Sequence, residues 1–396
     1  MNWIDYFQAC LPDMISFLEK LVRLESPSRD KQAVDACSSF LAQELSKIGF
    51  EITIHPQKEI GQILTALYPE AQTENTTLIL THIDTVWPVG KIAEMPWKID
   101  SQNQRIYGPG VLDMKAGIVQ AFFALQGLRK FKLQPKNKII LFVNSAEEIG
   151  HPSADELILQ YASQSSIILC LEPALPGGAL KVKRKGRLVV HLQAQGQAAH
   201  AGTPEKGVNA IEELLLQLYR LRSLRTKSIT LNIGEIKGGQ RANIVADQAE
   251  ALLDIRFWTN KQKEKVISSL SKLSPLLPQA KINYQIVSTN PPLEQNEASR
   301  RLWLKVKQIA SQMGLQLRAG RSGGGSDASL ASQSGRPTLD GLGPDGEGIH
   351  SEHEHLLLSS FIQRTALLAE ILLKGPLSEL AKAQSSESTI REITFF

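Results

Sequence analysis

Cysteine is scarce, with three residues (Cys10, Cys37 and Cys170) in a chain of 396. They are odd in number, far apart, and form no CxxC pair, which argues against a disulfide framework and favours reduced thiols in a cytoplasmic protein. No stretch approaches the 18 uninterrupted apolar residues of a membrane span. The N-terminus, Met1-Asn-Trp-Ile-Asp5, lacks a basic segment followed by an apolar one, so no signal peptide is expected. Charge of one sign is also lacking: 44 Lys and Arg stand against 40 Asp and Glu, a net +4 that gives no basis for nucleic-acid binding. Hydrophobic residues at 42% and charged residues at 21% exclude a disordered or collagen-like chain.

The apolar pattern is that of an α/β protein. Residues 13–24, 31–48 and about 116–130 space apolar side chains as helices do. Between and after them, Thr77–His82, Lys138–Asn144 and Ser166–Glu172 are near-continuous apolar runs of strand length. Such runs fit strands buried on both faces of a mainly parallel sheet. Beyond Glu172 the pattern changes. Strands are expected at 187–195, 228–236, 248–258 and 281–287, with helices at about 205–223 and 261–274. That order is the one of a ferredoxin-like α+β unit. Pro291-Pro292 closes it, and a helix at about 294–313 resumes the first pattern. The expected division is thus a discontinuous catalytic domain, 1–182 and 294–396, interrupted by an inserted domain, 183–293. Its last residues, from about Pro376, are Ser- and Glu-containing and are expected to form a loose tail.

The strand ends carry the chemistry. His82-Ile-Asp84, Glu147-Glu148 and Glu172-Pro173 each follow an apolar run, and Asp113 precedes the 116–130 helix. Ligands of open parallel sheets bind beyond the carboxyl ends of the strands, so these groups converge on one place. Each alone has a plain structural reading, as a loop pair, a helix start or a cap; together they form a donor set. Imidazole and carboxylate without thiolate suit zinc or a similar divalent ion. One His and one carboxylate per ion, with a shared carboxylate, would hold two ions and acidify a water between them. Of two adjacent glutamates, one can coordinate while the other serves as general base.

These residues resemble the M20 family of metallopeptidases and aminoacylases, which includes glutamate carboxypeptidases of the carboxypeptidase G2 type, acetylornithine deacetylase and succinyl-diaminopimelate desuccinylase. The resemblance runs through His82-Ile-Asp84-Thr-Val, Gly108-Pro-Gly-Val-Leu-Asp113-Met-Lys-Ala-Gly117, Ser145-Ala-Glu147-Glu148-Ile-Gly150 and Glu172-Pro173. It continues in Ala199-His200-Ala-Gly-Thr-Pro204, Asp254-Ile-Arg256, Gly323-Gly-Gly-Ser-Asp-Ala328 and His350-Ser-x-x-Glu354. It implies that His82 and Glu172 bind one zinc and Glu148 and His350 the other, with Asp113 bridging; cobalt or manganese could substitute. It further implies that Asp84 orients His82, that Glu147 is the general base, and that the Asp113–Met114 peptide is cis. Glu rather than Asp at 172 resembles the carboxypeptidase and deacylase branch.

In the family, the counterpart of His200 comes from a partner subunit and stabilises the oxyanion, which implies a homodimer formed through the inserted lid domain. Arg256 and Asn243 match positions that contact the substrate carboxylate or backbone. The glycine turn around Gly324 would let backbone approach substrate, with Arg321 as a second carboxylate contact. The implied activity is hydrolysis of an amide or peptide bond next to a free carboxylate. The first reading is a carboxypeptidase releasing a C-terminal amino acid such as glutamate, and the alternative an N-acyl-amino-acid deacylase. Its partners would be a small peptide or N-acyl amino acid, with neither nucleic acid nor membrane. A binding protein on the same fold would have no use for Glu147. The basic run Lys181–Arg187 reads as a solvated or substrate-attracting face, His353 and His355 as the start of a surface helix, and His151 as a bystander.

Overall fold

The computed structural model of the protein describes residues 2–375, so the tail expected from Pro376 lies outside it. The chain divides into two compact units. One takes Met1–Val182, Gln295–Arg321 and the segment from Ser326 onward; the other takes Lys183–Glu294 with Ser322–Gly325. The short 322–325 segment joins the second unit because Arg184 and Arg256 donate to the carbonyls of Gly325 and Gly323 at 2.6 and 2.7 Å.

The first unit is built on a six-stranded sheet in the order Glu51–His55, Ile63–Tyr68, Asn137–Asn144, Thr73–His82, Ile167–Cys170, Thr338–Leu339. The last four run parallel, and the first two are antiparallel additions at one edge. The continuous apolar runs have the cause expected of them. Ile79, Leu141 and Leu169 face a core covered by the helices Trp3–Arg23, Ala116–Lys130 and Leu358–Lys374. Their neighbours Leu78, Leu80, Phe142 and Ile168 face a second core with Ala154 and Ile158 of the helix Pro152–Gln164. The stretch Val111–Lys130 is long and apolar enough to cross a membrane by composition, but 94% of it is buried in this core.

The first helix begins ten residues earlier than its apolar spacing predicts. Pro12, just before the predicted 13–24 stretch, sits inside the helix. Pro12 and Gln8 are both exposed, so solvent can reach the turn in which the proline has no N–H to offer the Gln8 carbonyl. Asn2 caps the true start, and Trp3 stacks on Phe7 to anchor the added turns. The helix Ala116–Lys130 packs on the sheet through Gly117, where a β-carbon would stand 2.5 Å from the Leu171 carbonyl oxygen. Only glycine permits that approach, and it draws the residues before the helix toward the end of the Ile167–Cys170 strand.

The second unit has four antiparallel strands in the order Thr230–Gly238, Gln248–Phe257, Gly186–Gln195, Lys281–Asn290. In chain order this is strand 2-3-1-4, the ferredoxin-like arrangement, with Ala210–Leu221 and Asn260–Leu270 as its helices. Leu188, Val190, Leu253 and Ile255 pack against Leu214, Leu218, Val266 and Leu270 in its own core.

Candidate metal centre

Strand register brings the first donors together. His82 ends its strand opposite Asn144, the end of the neighbouring parallel strand, so Glu147 and Glu148 follow at the same edge. Leu80 pairs with Cys170 on the other side, which puts Glu172 two residues past that strand. Asp113 lies in the turn Val111–Lys115 before the core helix, and the Asp113–Met114 peptide is cis, as the resemblance implies. His350 arrives from a small separate sheet. Its loop joins Gly346–Glu347 to His355–Leu357, and the latter pairs with Arg105–Tyr107, the strand that leads into the Asp113 turn.

Asp113 divides its carboxylate between two histidines. Oδ1 lies 3.3 Å from His82 Nε2, and Oδ2 lies 3.4 Å from His350 Nε2. Glu172 Oε1 stands 3.5 Å from His82 Nε2, and Glu148 Oε1 3.1 Å from His350 Nε2. Three donor groups result, His82–Asp113–Glu172, Asp113–Glu148–His350 and His82–Glu147–Glu148, each with its ligand atoms within 4.8 Å of one another; the first two share Asp113. Two imidazoles and three carboxylates, one of them shared, fit a pair of borderline divalent ions.

The electrostatics are those of a cation site. Burial pushes Glu147 and Glu148 above the usual carboxylate range, and Glu147 is pushed well above it, with Glu172, Asp327 and Glu148 adding to the effect. His82 is held well above its ordinary value: its burial acts against the proton, but Asp113, Asp84 and Glu172 more than compensate. Hydrogen bonds to Asp113 and Glu148 raise His350 to about 10. Burial acts upward on Asp113 as well, yet His350, His82 and the Lys181 charge keep it far below the usual range. Among the described residues no hydrogen bond holds the Glu147 carboxylate, so it is available for proton transfer.

The surrounding shell differs from the sequence expectation in three places. His82 Nδ1 is oriented chiefly by the Asp84 main-chain carbonyl at 3.0 Å, with the Asp84 carboxylate at 3.5 Å. That carboxylate instead accepts from Ser28 Oγ at 2.7 Å and from the Glu147 and Glu148 N–H groups at 3.1 and 3.3 Å, fixing the turn that carries both glutamates. Lys181 and Arg184 of the basic run are buried rather than solvated, and Lys181 Nζ stands 3.6 Å from Glu172 Oε2. His355 does not open a surface helix; it is buried and packs on Tyr107 with ring centres 5.1 Å apart. His151 caps the helix Pro152–Gln164.

Two further carboxylates carry no role in the sequence reading. Glu354 accepts from the N–H groups of Gly110, Leu112 and Asp113 at 3.0, 2.8 and 3.1 Å and from Trp87 Nε1 at 3.1 Å. Asp327, bonded to Asn144 Nδ2 at 2.8 Å, is pushed up to about 7 by burial. Glu354 was visible as the last residue of the His350 motif, and Asp327 as the carboxylate of the glycine turn.

His200, Asn243, Arg256 and Gly324 lie in the second unit. His200 is exposed; its Nδ1 accepts from Gly202 N at 3.0 Å, and Ala201 N donates to the Asn243 carbonyl at 3.0 Å. Arg256 Nε is 3.0 Å from Asp254 Oδ1 and its Nη1 binds the Gly323 carbonyl, so part of its fork is already engaged within the unit. Gly324 N donates to Ser322 Oγ at 3.2 Å. Arg321, in the first unit, is exposed.

Known proteins share this organisation. Residues 78–374 match the family described as peptidase family M20/M25/M40. Carboxypeptidase G2 of Pseudomonas sp. (strain RS-16) is 27% identical over 380 residues, spanning 91% of this chain and 89% of its own. An acetylornithine deacetylase of Edwardsiella ictaluri is 26% identical over 312 residues, 73% of this chain and 80% of that one. Among solved structures, the aminopeptidase PepT of Bacillus cereus superposes with a TM-score of 0.77 at 21% identity, covering 91% and 97% of the two chains. The Bacillus subtilis YxeP protein, a dinuclear metal-binding M20 peptidase, does so with a TM-score of 0.68 at 16% identity, covering 93% and 99%. With most of its length inside the family match, the chain belongs to peptidase family M20/M25/M40 and is a metal-dependent hydrolase of peptide or amide bonds.

Proposed function

We propose that the protein is a two-zinc carboxypeptidase that cleaves the amide bond next to a free carboxylate and releases a C-terminal amino acid such as glutamate. The observation that carries the reading is the divided carboxylate of Asp113, one oxygen toward each histidine. His82, Asp113 and Glu172 would hold one ion and Asp113, Glu148 and His350 the other; cobalt or manganese would suit the same donors. Such ions, when bound, polarise the scissile carbonyl and acidify the attacking water.

The remaining steps belong to the chain. Glu147 takes a proton from the water onto its carboxylate as the oxygen adds to the carbonyl carbon. It then gives that proton to the leaving nitrogen as the C–N bond breaks. Burial raises its proton affinity, which favours its taking up the proton. Asp84 holds the Glu147 N–H and so aims the base. His200 would donate a hydrogen bond to the oxyanion, from the partner subunit of a homodimer formed through residues 183–293. Arg256, Asn243 and the backbone at Gly324 would receive the substrate carboxylate and main chain. Three free thiols, two of them buried, support a cytoplasmic setting.

The likeness to carboxypeptidase G2 across 91% of the chain supports release of a C-terminal amino acid. The likeness to acetylornithine deacetylase supports a second reading, deacylation of an N-acyl amino acid. A panel of acyl-glutamates, N-acetyl amino acids and dipeptides with free or blocked carboxyl ends decides between them, assayed before and after chelation. Metal-dependent release only from substrates with a free α-carboxylate is expected. Equal cleavage of blocked substrates would overturn the carboxylate requirement, and the preferred acyl group separates the two readings.

A further inference from the structure

Glu172 points its two carboxylate oxygens at different partners. Oε1 lies 3.5 Å from His82 Nε2, inside the first donor group. Oε2 lies 3.6 Å from Lys181 Nζ. Both side chains are buried, with relative exposures of 6% for Lys181 and 8% for Glu172. An ammonium placed so deeply needs a carboxylate partner, because an unpaired buried charge is strongly unfavourable.

Lys181 is held firmly in place. Its N–H donates to the Asp340 carbonyl at 2.9 Å, and the adjoining Gly341 comes so close that a β-carbon there would stand 2.9 Å from Lys181 N. Gly341 also has a positive φ of 77°, which glycine adopts without strain. The ammonium therefore approaches Glu172 from a fixed backbone. Lys181 meets the first donor group through Glu172, a residue the second group lacks, and His350 in that second group is 48% exposed.

A carboxylate can ligate a cation through one oxygen or through both, and the choice sets the coordination number. We infer that Lys181 is a positioning residue that occupies the outer oxygen of Glu172 and confines this ligand to one-oxygen coordination. The ion on the His82 side is thereby kept at low coordination number, with a position left for water or substrate. The inference rests on the two-metal reading proposed above.

Cobalt(II) is the probe, because four- and five-coordinate cobalt absorbs visible light far more strongly than six-coordinate cobalt. Metal-free wild-type, Lys181→Met and Lys181→Gln proteins are titrated with cobalt and followed by visible absorption. Lys181→Met is expected to weaken the band of one of the two ions and to change its affinity by about 10–100-fold, the usual consequence of losing a partner behind a ligand. Lys181→Gln retains a hydrogen-bond donor and is expected to keep the wild-type band. A folded Lys181→Met protein with wild-type spectrum and affinity overturns the inference while leaving the two-metal reading intact.

If Lys181→Met does not fold, the metal-loaded crystal structure of the wild-type protein decides the matter. Glu172 bound through one oxygen with Lys181 on the other supports the inference, and Glu172 bound through both overturns it. A wild-type protein that takes up no cobalt overturns the two-metal reading, and this inference with it.

Discussion

The carboxylate of Glu354 accepts the main-chain N–H of Asp113 at 3.1 Å, and with the same oxygen that of Leu112 at 2.8 Å. The residue that bridges the two donor groups is thus held from behind by a second carboxylate reached through a different part of the chain. Gly110 N and Trp87 Nε1 take the other oxygen. Exchanging Glu354 for Gln turns one acceptor into a donor facing these N–H groups. Glu354→Gln is expected to lower the stability of the metal-free protein by about 3 kcal/mol. It should also weaken metal binding by about 10–100-fold. Chemical denaturation and competition with a chelating dye measure the two effects, and unchanged affinity would count against the clamp.

Glu147, proposed as the general base, would carry a different signature. Glu147→Gln is expected to bind the same amount of metal as wild type while kcat falls by about 10²–10⁴-fold. Metal content and turnover on the best substrate are measured on one preparation. Loss of metal together with activity would make Glu147 a ligand instead of a base.

Without metal, stability should fall as pH rises. Burial pushes Asp327 and Glu354 up to about 7 and also raises Glu147 and Glu148. The folded protein therefore keeps protons that the unfolded chain releases from about pH 4 upward. His82 and His350, the latter at about 10, keep protons that the unfolded chain loses near 6.5. Both sets lower stability across about pH 4 to 10. Asp113 acts oppositely, but its stabilising contribution is lost only as pH falls below its ordinary 3.8. Divalent cations would replace the protons on Glu148, His82 and His350, so the Tm difference between metal-loaded and metal-free protein is expected to widen with pH. Thermal melts in matched buffers test this; a metal-free Tm that rises over the same range contradicts it.

His200→Ala is expected to lower kcat by about 10²–10³-fold, as the loss of one oxyanion donor does, with metal binding unchanged. If His200 serves the neighbouring subunit, mixing His200→Ala and Glu147→Gln chains restores activity that neither possesses. Mixed chains that stay inactive after subunit exchange place His200 in its own subunit's site or outside the site altogether.

The sheet was legible because buried strands must be apolar on both faces, and Leu78-Ile-Leu80 divides its side chains between two cores. The donors were legible because His82, Glu147, Glu148 and Glu172 follow such strands. What sequence could not display is how each oxygen is shared. The division of Asp113 between His82 and His350 depends on a loop that arrives from the far end of the chain. Lys181 sits in a run of basic residues whose composition reads as solvated, and nothing local shows that Glu172 lies opposite it. Asp84 was linked to His82 by the family resemblance, whereas its carboxylate also accepts from the 147–148 backbone. The first helix was read from residue 13 because its earlier turns are anchored by Trp3 stacked on Phe7, a contact of the packed helix.

The first unit is also interrupted in the chain by Lys183–Glu294, the larger part of the second unit. During synthesis His82, Asp113, Glu148 and Glu172 emerge before the insertion, and His350 and Glu354 only after it. At about 5–20 residues per second, the early donors are made seconds before His350 and Glu354. Because Asp113 belongs to two donor groups and Glu354 holds its N–H, neither of those groups is braced until the last part of the described chain has been made.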